Sequence, residues 1–139
     1  MKKFLLMVGL AIACIRGFAQ QQGGDSKQFM LIVRYRTDAP APTADLMKTN
    51  GEHWGQFIAD VAKSGKLVSG LRPQQTGRTI AGHDKTVQES AYVGDKAVVS
   101  AFFVVKAASL DEATEIAKKV PIYEMGGSVE IREIMNNAN

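Results

Sequence analysis

Proton transfer near neutral pH calls for an imidazole, and the chain offers two, His53 and His83. His53 falls in a stretch whose spacing predicts a helix. With Glu89 or Asp95 as a carboxylate partner it would form an acid/base pair in a cleft. Trp54 and Tyr92 would line an apolar pocket for a small organic ligand, and Arg34 and Arg132 would offer charge to an anion. Each has a structural alternative. A helix histidine can be solvated, and aromatic residues at helical spacing commonly fill a core. Arg34, Glu130 and Arg132 on neighbouring strands form an ion-pair ladder more readily than an anion site.

Other chemistries lose their usual support. The two histidines lack the close spacing of a zinc site, and the single cysteine, Cys14, lies far from both. No G-x-S-x-G elbow, phosphate-binding glycine loop or dinucleotide fingerprint is present, so no metal and no cofactor is expected. Gly126-Gly127 reads as a turn before an edge strand rather than a phosphate cradle. The net charge of +3 equals Lys2, Lys3 and Arg16, and the remaining residues balance. Without a basic stripe, nucleic acid is not an expected partner.

Those three cations flank or interrupt an apolar N-terminal run over residues 4–15, followed by Gly17-Phe18-Ala19 before Gln20. Small residues at positions −3 and −1 predict a secretory signal over residues 1–19, hence a periplasmic or secreted protein. The run is shorter than the roughly 20 residues of a spanning helix, so no membrane span is expected in the mature chain. Lipid anchoring at Cys14 is the alternative. Residues 20–27 read as a flexible lead-in, 28–135 as one domain and 136–139 as a tail.

The elements that must position the candidate residues follow from periodicity. Residues 29–35 alternate as a strand, with Arg34 and Arg36 leaving the core together. Prolines 40 and 42 mark a loop, Thr43 caps a helix running to about Ser64, and Met47, Trp54, Phe57, Ile58 and Val61 form its apolar face. Gly65 ends it and a short strand follows over 66–69. Glycines and Pro73 then shape a hairpin-like insert reaching Glu89. Residues 98–105 are apolar at nearly every position and predict a strand buried on both faces. Ser109 and Glu112 form a capping box for a helix that Pro121 stops, and 128–134 reads as an edge strand with Val129 and Ile131 inward. Strand, helix, strand, insert, strand, helix, strand is the split βαβ plan of a ferredoxin-like α+β fold with an antiparallel sheet. With both helices on one face, the doubly apolar strand needs cover on the other. A second copy packed sheet to sheet is the preferred cover and an N-terminal tail the alternative.

LVSGLRP at 67–73, SLDEATEIAKKVP at 109–121 and GGSVEIREI at 126–134 resemble the YCII-related proteins, in the branch named for its DGPF motif. The resemblance implies a ferredoxin-like fold that dimerises into an α/β barrel. It places the Asp-Gly-Pro-Phe motif on Glu89-Ser90-Ala91-Tyr92, its following glutamate on Gly94, and a helix histidine of the family on Trp54. An exported homodimer that is non-catalytic or binds ligands weakly is the expectation. The alternative is an isomerase- or lyase-like enzyme using His53 with Glu89.

Overall fold

A computed structural model describes residues 26–135; the expected signal segment, Cys14, most of the lead-in and the tail lie outside them. The main sheet has the order β2 (Leu67–Leu71), β6 (Ala97–Ala107), β1 (Lys27–Arg36), β7 (Ser128–Glu133), with all pairs antiparallel. Helices α1 (Ala44–Lys63) and α2 (Leu110–Ala117) bury their apolar stripes against one face. This is the ferredoxin-like arrangement. The insert between β2 and β6 forms a separate two-stranded ribbon, β3 (Thr79–Ala81) with β4 (Thr86–Gln88), and a short strand β5 (Val93–Gly94) that hydrogen-bonds to β6.

The caps form where residue types predict them. Thr43 Oγ1 accepts from the Leu46 amide at 3.2 Å, and Gly65 leaves α1 at φ +72°. Ser109 Oγ accepts from the Glu112 amide, while the Glu112 carboxylate reaches one residue further back than expected, to the Ala108 amide at 2.6 Å. That carboxylate also pairs with Lys66. α2 ends at Ala117, short of Pro121, and a 3-10 turn over Pro121–Met125 fills the remaining distance to β7.

Alternation divides the two sheet faces. Phe29, Leu31, Val33, Ala101, Phe103, Val105 and Ala107 are buried under the helices with Phe57, Val61, Ala113, Ile116 and Ala117. Met30, Ile32, Phe102 and Val104 occupy the opposite face, half-buried, with no element over them among the described residues. At Val33/Arg34 the β1–β6 register shifts and Ser100 becomes the extra residue of a bulge, its hydroxyl 3.4 Å from Val33 O.

The Gly-Gly pair before β7 has two separate causes. Gly126 ends the 3-10 turn at φ +69°, a left-handed conformation that glycine adopts without strain. Gly127 sits where a Cβ would lie 2.4 Å from Arg34 O and 2.4 Å from Ile122 Cγ1, so the turn packs directly on β1. Gly127→Ala is therefore expected to destabilise the protein by about 1–3 kcal/mol through overpacking, measured by urea denaturation. An unchanged midpoint would show that β1 and the turn can separate freely.

Candidate functional site

The predicted apolar face of α1 does not all enter the core. Phe57 and Val61 do, whereas Met47 and Ile58 are 59% and 40% exposed. They line a cavity of about 580 Å³ between the N-terminal part of α1 and the sheet. Helical periodicity marks a residue as facing the sheet side without saying whether it meets packed atoms or open space.

On the helix side the cavity wall continues with Asn50, Gly51 and Trp54. Tyr35, Ser100, Ala101 and Phe103 form its sheet side, and Ile122 and Met125 one end. Gly70, Leu71, Arg72 and Gln75 come from the end of β2 and the loop after it. Trp54 stacks on Phe103 with centroids 5.9 Å apart and planes at 16°, and Phe57 meets both edge-on. Phe103 lies over its cross-strand partner Gly70, where a Cβ would come within 2.6 Å of the ring. Only a residue without a side chain lets the ring lie there.

On another flank of α1, His53 Nδ1 and Glu124 Oε1 are 2.7 Å apart. Asn50, 7% exposed, donates from Nδ2 to Glu124 Oε2 at 2.9 Å and to Pro121 O at 2.8 Å. One helical turn separates Asn50 from His53, so both reach the 3-10 turn from the same side of α1. The Asn50 amide first and the His53 ring second hold the Glu124 carboxyl below the usual carboxylate range. His53 and Glu124 line a second hollow of about 390 Å³, together with Lys66 and Lys119.

The expected partners of His53 lie elsewhere, which corrects the pairing. Glu89 bonds to Arg78 at 2.7 Å, on the surface, and lines a third hollow with Ser90 and Ala91. Asp95 and Lys96 have φ of +49° and +59° and join β5 to β6 as a two-residue hairpin turn, so Asp95 serves the backbone. Tyr92 is 73% exposed, its ring lying against Gly94, and does not line the 580 Å³ cavity. Arg34 and Arg132 lie on the opposite sheet face, 2.7 Å and 3.9 Å from Glu130. Of the predicted residues, Trp54 alone reaches the cavity. Glu124 was missed because it sits 71 positions from His53, in a turn with no strand or helix signal. No group of three metal-ligating side chains occurs among the described residues.

The family model described as YCII-related domain matches residues 30–137. No curated protein matches the chain significantly. Among solved structures the chain is similar to 5-chloro-2-hydroxyhydroquinone dehydrochlorinase (TftG) from Burkholderia phenoliruptrix AC1100, in complex with 2,5-dihydroxybenzoquinone. The match has 18% identity and a TM-score of 0.42, and covers 79% of this chain and 95% of that one.

Glu124 is ionised more readily in the folded state than in the unfolded one, so its contribution to stability is present above the ordinary glutamate pKa. It is lost as pH falls through the lowered folded value. Glu124→Gln should flatten that acid limb of a stability-against-pH curve measured by thermal melts. A limb of unchanged slope would show that the Asn50–Glu124–His53 contacts do not form in solution.

Proposed function

We propose that this chain, which belongs to the YCII-related domain family, is a homodimeric binding protein for a small planar organic molecule held in the cavity beside α1. One observation carries the reading. The cavity is walled by the stacked Trp54 and Phe103, and among the described residues no histidine, aspartate, glutamate, lysine or cysteine lines it. An apolar wall with a few polar groups suffices for binding, whereas acid/base catalysis needs a group that titrates near the working pH. Trp54 stands where the family resemblance places a histidine, and an indole is no base.

A second reading rests on the His53–Glu124 pair. With Nδ1–H donated to the carboxylate, Nε2 is left as the basic nitrogen, and Asn50 fixes the carboxylate in turn. The second hollow would then hold the substrate of an acid/base enzyme.

The sheet face that no described element covers supports the homodimer. Met30, Ile32, Phe102 and Val104 form its apolar centre, and Arg34, Glu130 and Arg132 supply both signs of charge beside it. A surface of that kind can meet its own copy about a two-fold axis. The N-terminal run over residues 4–15 supports export, with the dimer working in the periplasm or outside the cell.

Light scattering should give twice the mass of one chain, and Phe102→Glu should give the single-chain mass. A wild-type monomer would sink the assembly. For the ligand, a thermal-shift screen of phenols, lactones and organic acids should find compounds that stabilise by about 2.7 kcal/mol at a hundredfold excess over Kd. Gly51→Leu tests the location, because a Cβ at Gly51 meets nothing within 4 Å and extends from the cavity wall. It should remove the shift, and His53→Ala should leave it intact; the reverse pattern would favour the second reading.

A further inference from the structure

The described residues contain five arginines, and four of them face a carboxylate. Arg34 and Arg132 meet Glu130, Arg36 meets Asp38, and Arg78 meets Glu89. Arg72 is in no ion pair among the described residues, and it is the one that lines the 580 Å³ cavity. No aspartate or glutamate lines that cavity. A cation kept apart from acids beside an apolar recess leaves its charge for something that enters.

Position adds to this. Arg72 follows directly on Leu71, the last residue of β2, and precedes Pro73. A following proline disfavours the helical region, so Arg72 continues the extended direction of the strand. Two positions back in that strand is Gly70, under the ring of Phe103. Arg72 is therefore held two residues from the glycine that seats the Phe103 ring, on one short, sheet-anchored segment. Gln75, from the same loop, adds an amide to the lining.

We infer that the ligand of this cavity is a planar aromatic anion, its ring against Trp54 and Phe103 and its carboxylate on Arg72. The inference rests on the binding reading above and names the chemical class of the ligand. The planar fork of a guanidinium matches a carboxylate with two parallel hydrogen bonds, which an uncharged amide cannot reproduce. Arg72 is solvent-exposed in the free protein. A ring seated in the recess would exclude water from one side of the pair and strengthen it.

The test uses benzoate, its uncharged isostere benzamide, and the non-planar cyclohexanecarboxylate. Binding is followed by calorimetry and by the fluorescence of Trp54, the chain's single tryptophan and part of the cavity wall. Benzoate should bind about tenfold or more tightly than benzamide, as a charge-assisted hydrogen bond would give. Arg72→Met should abolish that preference by weakening benzoate far more than benzamide, and added salt should weaken benzoate selectively. Equal affinities in the wild type, or a preference that survives Arg72→Met, would overturn the anion inference and leave the binding reading standing. Cyclohexanecarboxylate matching benzoate would overturn the requirement for a planar ring. Failure of all three probes to bind would overturn the inference together with the reading on which it rests.

Discussion

The stack of Trp54 on Phe103, with Phe103 lying over Gly70, is the contact on which the cavity depends. It joins α1 to the sheet through two large rings, and the space beside them remains open. On the same helix, the Asn50 amide ties α1 to the 3-10 turn through Pro121 O and Glu124. Asn50 is itself buried, so losing these bonds would leave its amide unpaired away from water, at a cost of about 1–3 kcal/mol. One aromatic support and one polar one thus hold the wall of the cavity in position.

The backbone was largely legible because its signals are local. Thr43, Ser109 and Gly65 act within a turn of their own positions, and alternation in 29–35 and 98–105 assigns each strand its faces. Family membership was legible too, and the structure gives its Gly-Gly motif a cause in the approach of Gly127 to β1. The site was less so. His53 meets Glu124 rather than Glu89 or Asp95, because folding brings together residues 71 positions apart, while Arg78 takes Glu89 from 11 positions away. Met47 and Ile58 carry a core-like pattern, and only the position of α1 over the sheet shows that they face open space.

A division of labour along α1 follows. Trp54 and Gly51 face the cavity, His53 lines the second hollow, and Asn50 contributes to the cavity while bonding to the partner of His53. The His53–Glu124 pair therefore stands apart from the apolar recess walled by Trp54 and Phe103. For proton transfer to a ligand in the cavity the two would have to coincide. For binding, the recess and a nearby cation suffice, and among the described residues no element covers the opposite face of the sheet.

The measurement that reaches the central claim most directly is chemical-shift mapping by nuclear magnetic resonance during a titration with benzoate. The account predicts the largest shifts at the Trp54 indole N–H and at the amides of Gly70, Arg72 and Phe103, with His53 and Glu124 little changed. Shifts centred on His53, Glu124 and Lys119 would contradict it and place the working site in the second hollow.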